Sequence, residues 1–575
     1  MKKLYLFILV VCMTLNLHAQ HRTSEELQDI AAQQLLDAGV KAHVSSQRSA
    51  VQHLGELSIT ENLAIYGSED AGFVVLALDS RLKPVLGVSL NPYTPGQEPS
   101  GFLWWLEQQE AALAYASARM NAGVQAPQWD ETEEEGNYIA VPNLISSKWG
   151  QSDPYNLYCP KIKGSNSLTG CTATAVAQIL RYNQYPTHST GKSKYFVGNS
   201  QSGIPVTLNS TFDYSLMTNT YPSKRTDEQR NAVATLMREC GYAFKMNYST
   251  ESSGAYDTDV ALGLTTNLGY DTLAIQLLQR DVYTDEEWLA IIQDELLANR
   301  PMYYSAMDPN RGGHAFIVSG IDTEGKVYIN WGWNGDADGY FAIDNMSPRG
   351  ILGTASSNFS QYHAIICGFT PDGKPLDDAE YTERLALADT LTLSSSSANL
   401  LTINFPGIYN VDYLPFYGEV YVYIENEDDE SIFDIQRLFT TADPQLGSLT
   451  PGYGLRETSL DYPVSELPAG NYSFVVLSHA VQHDYFNLVR SVGGLYIVKF
   501  SKDENGVITT QSPSLYDSIK EVKTEQPAPI SPLAPSLTGF FDLNGRSLRM
   551  TDDKLRMTNL PKGIYIINGK KVMVK

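Results

Sequence analysis

Between positions 169 and 180 the chain reads Thr-Gly-Cys-Thr-Ala-Thr-Ala-Val-Ala-Gln-Ile-Leu. Small side chains follow the cysteine, and Val176, Ala177 and Leu180 recur at helical spacing on one face. A helix that opens at Cys171 can therefore sink into a core while its first turn stays open. There the sulfur meets the positive end of the helix macrodipole, which favours the thiolate and predicts a lowered thiol pKa. A buried, inert cysteine at a helix start fits the same segment. The decision rests on what else the chain supplies.

A second segment, Arg311-Gly312-Gly313-His314-Ala315-Phe316-Ile317-Val318, places a histidine at the head of a predicted strand. Two glycines let the backbone approach closely, and a strand is a rigid mount for a base. The other histidines between 126 and 375 are His188, in a polar run that reads as a loop, and His363, which begins an apolar strand and reads as structural. A third segment, Val327-Tyr328-Ile329-Asn330-Trp331-Gly332-Trp333-Asn334-Gly335, follows a turn signal at 322–325. A hairpin closing there brings Asn330 within a few residues of the position opposite His314. The Asn330 carboxamide would accept a hydrogen bond from the imidazole and fix its tautomer, with Trp331 shielding that bond. A glycine and tryptophan turn that only packs is the plainer alternative. Cysteine, histidine and asparagine in this order match the papain arrangement. The chemistry predicted is acyl transfer, with Cys171 attacking a peptide carbonyl and His314 carrying the proton to the leaving amine. It also demands an oxyanion hole, from the Cys171 N–H and a side-chain donor.

At 575 residues the chain exceeds what one core can organise and suits several domains. Residues 1–19 read as a signal peptide: Lys2 and Lys3, an apolar run over 4–13, then Leu17-His18-Ala19. That run is too short to span a bilayer. Residues 20–125 form a small α+β unit, with helical patterns at 25–38 and 102–120 and strands at 63–66, 72–78 and 84–89. The acidic stretch Asp130-Glu131-Thr132-Glu133-Glu134-Glu135 after Pro127 makes 126–137 an exposed linker, open to proteases. Residues 138–375 are the largest unit, α+β, with helices at 172–182, 228–240, 257–268 and 286–299 before strands at 315–321, 326–331, 339–344 and 363–369. Short strands over 376–523 predict a β-sandwich. Residues 524–538 carry four prolines and read as a linker, and 539–575 return to β character.

A net charge of −24 makes nucleic acid and anionic lipid poor partners. Of five cysteines, Cys12 leaves with the signal. Cys159, Cys171, Cys240 and Cys367 are too few for a disulfide framework and include no CxxC pair. No HExxH motif occurs, so no metal site and no cofactor is expected.

The stretches TGCTATAVAQILRYNQYP, GGHAFIVSGID and INWGWNGDADGYFAID resemble the streptopain family of secreted bacterial cysteine peptidases, most of all its interpain- and PrtT-type members from Bacteroidetes. The resemblance implies a papain-like catalytic domain with Cys171 as nucleophile, His314 as base, Asn330 as orienting residue and Trp331 as the neighbouring indole. Trp149-Gly150-Gln151 resembles the family's WxQ segment, which implies Gln151 as the oxyanion donor beside the Cys171 N–H. LAIYGSEDAGFVVLALDSRLKPVLGVS, at 63–89, resembles the family's inhibitory propeptide, with cleavage expected within 121–137. The final segment, including Phe541-Asp542-Leu543-Asn544-Gly545-Arg546 and Leu560-Pro561-Lys562-Gly563-Ile564-Tyr565, resembles a type IX secretion sorting domain. It implies outer-membrane secretion machinery as a partner, and a secreted or surface-attached product that passes through the periplasm. The expected function is that of a secreted zymogen of a cysteine endopeptidase, hydrolysing proteins or peptides through a thioester and held inactive by its own propeptide. A Cys-His acyltransferase or transamidase on the same fold is one alternative, and an inert surface adhesin another. An inhibitory segment favours the protease, because unregulated proteolysis is the hazard that calls for one.

Overall fold

The computed structural model describes residues 21–44, 46–124, 138–198, 200–308, 312–343, 363–376, 384–397, 400–427, 432–441, 447–482, 486–515, 540–542, 563–567 and 570–574. The expected signal peptide and both expected linkers lie outside these residues. Two compact units divide the chain: Met1–Ile275 with Ile292–Lys374, and Gln276–Ile291 with Pro375–Lys575.

The first unit begins with helix α1 (Ser24–Lys41), whose start is set by a reciprocal capping box between Thr23 and Glu26. Leu27, Ala31 and Leu35, four apart, line its buried face. Strands β1 (Gly55–Ile59), β2 (Leu63–Ser68), β3 (Gly72–Ala77) and β4 (Val85–Ser89) form an antiparallel meander. All six residues of β3 are buried, because the sheet is covered on both faces. Val74 and Leu76 share a core with α1, whereas Phe73 packs on Phe102 of helix α2 (Ser100–Asn121), ring centroids 5.5 Å apart.

Downstream come helices α3 (Cys171–Asn183), α4 (Asp227–Ala243) and α5 (Asp257–Asn267), then strands β5 (Met302–Asp308), β6 (Gly312–Ile321), β7 (Val327–Asn330), β8 (Gly339–Phe341) and β9 (His363–Cys367). Helices precede strands, as the sequence pattern suggested. The two halves of this unit share one sheet, in the order β1-β2-β3-β4-β8-β7-β6-β5-β9. The joint is the antiparallel pairing of β4 with β8, Val88 opposite Tyr340 and Gly87 opposite Phe341. A Cβ at Gly87 would stand 2.3 Å from the Phe341 ring, so glycine is what lets that ring close the seam. Residues 20–125 and 138–375 read as separate units in sequence; their backbones pair edge to edge. Strand β5, which no periodic pattern announced, lies between β6 and β9.

In the second unit, strands Gly418–Asn426 and Gly470–Ala480 pair antiparallel and are flanked by Ile432–Thr440 and Tyr496–Lys502. Another sheet joins Thr392–Ser397, Leu400–Phe405 and Thr458–Pro463. Alternate residues Leu401, Ile403 and Phe405 enter a core shared with Val420, Val422, Ile424, Phe474 and Phe500. Near the C-terminus, Phe540–Asp542, Gly563–Ile567 and Lys570–Val574 form a small antiparallel sheet. Among the described residues no helix is long and apolar enough to cross a membrane.

Candidate active site

Helix α3 starts at Cys171, and every residue from Thr172 to Leu180 is buried. Its small first turns make that depth possible. Gly170, at φ +85°, precedes it; a Cβ there would stand 2.6 Å from the Ser253 carbonyl oxygen, so no other residue fits without displacing that loop. Thr174 ties the first turn, its hydroxyl 2.9 Å from the Gly170 carbonyl and 2.8 Å from the Thr169 hydroxyl.

Helix α3 packs against β6, and the backbone N–H of Ala315, the residue after His314, is among the groups that favour the Cys171 thiolate. Cysteine and histidine segments 143 positions apart therefore converge at one place. The helix-terminus argument predicted a lowered thiol pKa, and the structure reverses the sign. Burial pushes the Cys171 thiol up, and the N–H groups of Ala315 and Thr172 with the Thr172 hydroxyl only partly offset it. The dipole acts, but removal of water around the sulfur outweighs it.

Helix α2 lies over this place. The Trp104 indole sits 6.4 Å from the His314 ring and 5.2 Å from the His363 ring, centroid to centroid. Gly101 faces the Trp331 ring, where an added Cβ would stand 3.0 Å away, and 3.9 Å from the His314 Cβ. Phe102 packs on Trp331 at 5.7 Å, and Trp105 donates to the Ala342 carbonyl at 2.8 Å. Of the other histidines compared in the sequence, His188 is exposed, and His363, in register with His314 across β5, is buried with Nδ1 3.0 Å from the Tyr304 hydroxyl.

Asn330 ends β7 opposite Ile317, three residues along β6 from His314. It is 2% exposed. Its Nδ2 donates to the Ser147 carbonyl at 2.9 Å, and its Oδ1 accepts from the Gly332 N–H at 3.0 Å. Its amide also faces that of Gln178 in a reciprocal pair, both contacts 3.3 Å. Trp331 is fully buried, between Phe102, Phe316 and Phe341. Its backbone N–H donates to Asp338 at 2.9 Å, and burial pushes the Asp338 carboxyl up to about 7.

Gln151 is buried on the segment before α3, and its carbonyl accepts from the Thr169 N–H at 3.1 Å. Gln178, which the sequence reading passed over, organises this side. Its Oε1 accepts from the Ser147 hydroxyl at 2.9 Å and the Trp149 N–H at 3.2 Å. One buried amide thus holds both the Asn330 carboxamide and the extended segment leading to Gln151. The available signal was position: Gln178 lies two helical turns after Cys171, a polar residue on an otherwise apolar helix. Gln178→Ala is expected to cost about 1–3 kcal/mol in thermal unfolding, because several buried groups lose their partner. It should also lower peptidase turnover roughly tenfold or more, measured against a peptide substrate at equal folded protein.

The remaining thiols are of another kind. Cys159, Cys240 and Cys367 are buried, and all four described cysteines are unbridged. Burial pushes the Cys159 thiol up to about 12 and the Cys240 thiol higher still. Among the described residues no group of three or more His, Cys, Asp or Glu could hold a metal ion.

The model of the Peptidase C10 family matches residues 149–341, which hold the Cys171, His314 and Asn330 segments. A prointerpain A fragment from Prevotella intermedia is 35% identical over 55% of this chain and 98% of that one, with a TM-score of 0.47. Streptopain from Streptococcus pyogenes is 27% identical over 365 residues, 58% of this chain and 87% of streptopain. The thiol protease/hemagglutinin PrtT from Porphyromonas gingivalis is 27% identical over 320 residues, 53% of this chain and 36% of PrtT. With these likenesses the chain is a cysteine peptidase.

Proposed function

We propose that the chain is the latent form of a secreted cysteine endopeptidase, with Cys171 as nucleophile and His314 as general base. The observation that carries this reading is the packing of α3, which opens at Cys171, against β6, the rigid strand that holds His314 and whose Ala315 N–H favours the Cys171 thiolate. In the active form His314 takes the thiol proton and the thiolate attacks the substrate carbonyl. The Cys171 N–H and the Gln151 side chain stabilise the oxyanion. His314 returns the proton to the leaving amine, and water then hydrolyses the thioester. Asn330 holds the imidazole plane once the site opens, with Trp331 as its neighbour. Residues 20–125 act as an inhibitory propeptide. Helix α2 supports this role, since Trp104 and Gly101 occupy the side of His314 that a substrate must approach. The raised Cys171 thiol belongs to that covered state: a protonated sulfur is a poor nucleophile. Cleavage within 121–137 would let α2 leave and water return, so the helix terminus and His314 would then favour the thiolate.

The signal peptide and the 539–575 segment assign the product to export through outer-membrane secretion machinery, with 376–523 as a β-sandwich between. Iodoacetamide tests the catalytic reading. After proteolytic activation, one equivalent should label Cys171 and remove all hydrolysis of denatured casein, while the uncleaved chain labels slowly. Full activity after complete Cys171 labelling would end the proposal. Transfer of an acyl group to added amine without hydrolysis would favour the transamidase instead.

A further inference from the structure

The seam between β4 and β8 is a strand edge that the latent chain fills from within. Val88 stands opposite Tyr340 and Gly87 opposite Phe341. At one end of the pairing the Ala342 N–H donates to the Leu86 carbonyl at 2.8 Å. At the other end the Asp338 carbonyl accepts from the Ser89 hydroxyl at 2.6 Å and from the Asn91 amide at 2.7 Å. The Phe341 ring packs on Trp331, Phe102 and Trp105, with centroids 5.6, 5.4 and 4.9 Å away. Of these three rings only Trp331 lies outside residues 20–125. Loss of 20–125 therefore opens backbone donors, backbone acceptors and one side of an aromatic ring together. Such an edge is a template for another strand.

The residues of the edge decide which strand fits. Only glycine suits the position opposite Phe341, since a Cβ at Gly87 would stand 2.3 Å from the ring. The edge carries a glycine of its own at the matching distance: Gly339 lies two residues before Phe341. Antiparallel pairing of two copies centred on Tyr340 puts Gly339 of each opposite Phe341 of the other. It also puts position 342 of one opposite position 338 of the other, so the freed Ala342 N–H meets the freed Asp338 carbonyl. Each contact occurs twice, as a two-fold axis requires. The two Phe341 rings then share one face as diagonal neighbours, within reach of each other.

We propose that the activated peptidase pairs with a second copy of itself through β8, in the place that β4 holds in the latent chain; this rests on the reading of residues 20–125 as a propeptide that leaves. The interface continues the seam already described: one edge is closed by the chain's own strand before activation and by its copy afterwards. A copy seated on β8 also keeps a released propeptide from returning.

The test uses full-length Cys171→Ala protein, cut within 121–137 by an added protease and separated from the propeptide, so that no self-digestion intervenes. Sedimentation should show the uncut protein as a monomer and the cut protein as a dimer, at least half formed at about 50 µM. Gly339→Ala adds a Cβ against Phe341 of the other copy and should raise the dimer Kd about tenfold or more. Ala342→Pro removes the edge donor and should weaken the dimer similarly. A synthetic peptide with the sequence of residues 84–91, PVLGVSLN, should return the parent dimer to monomer. Cut, propeptide-free protein that stays monomeric overturns the proposal and leaves the propeptide reading intact. If that monomer binds the peptide, the edge takes a foreign extended segment instead of a second copy. A dimer that both variants leave unchanged is held elsewhere and overturns the proposal too. If residues 20–125 stay bound after the cut, the propeptide reading fails, and the pairing with it.

Discussion

Cys171→Ala is expected to abolish hydrolysis of denatured casein, a loss of roughly 10⁴-fold or more, because no other group at the site can form the thioester. The substitution should leave folding intact. It removes one sulfur from a position whose backbone is set by Gly170 and Thr174, and alanine is the best helix former available. The uncleaved variant should therefore melt within about 1 kcal/mol of the parent. It should also accumulate uncut if maturation is autocatalytic. Buried Cys159, Cys240 and Cys367 cannot substitute, since none is partly exposed as Cys171 is. Residual casein hydrolysis within tenfold of the parent would clear Cys171 of the role.

Gly101→Leu should raise the activity of the uncleaved chain. The position is buried where α2 meets the site, with a Cβ already at the contact limit against Trp331 and close to His314. A leucine adds three further carbons to a space that has room for none. Overpacking of this kind costs about 1–3 kcal/mol. If the cost falls on the seated position of α2, the unseated fraction rises roughly 5- to 150-fold. Turnover of a short fluorogenic peptide by purified uncleaved protein reads that fraction directly. Leu103→Ala is the control, since Leu103 on the same helix is 40% exposed and should leave latency alone. Unchanged latency in a folded Gly101→Leu protein would mean that the cover is not what silences the site.

The parts that were legible in sequence share one property: a local pattern carries them. Helix α3 announces itself by small residues and apolar spacing, and its start at Cys171 follows from Thr169-Gly170 before it. The capped helix α1 and strands β2 to β4 are legible for the same reason. Strand β5 was not. Residues 302–306 are all buried, so no alternation of polar and apolar residues marks it. Its side chains Tyr303 and Ser305 read as ordinary residues until Asp257, more than forty positions earlier, is found against them. Gln178 was missed similarly, because its value lies in meeting Asn330, Ser147 and Trp149 at once.

Composition, order and spacing were enough to single out a thiol, an imidazole and a carboxamide and to assign the chemistry they could do together, because reactive groups and the turns that present them are written in short stretches. Whether that thiol is charged was beyond such reasoning. The sign depends on how much water reaches the sulfur, and only the folded chain sets that, with helix α2 packed beside His314. The joining of β4 to β8, which seats that helix, is a pairing of backbone edges that any two strands can make. Only the folded chain chooses between them.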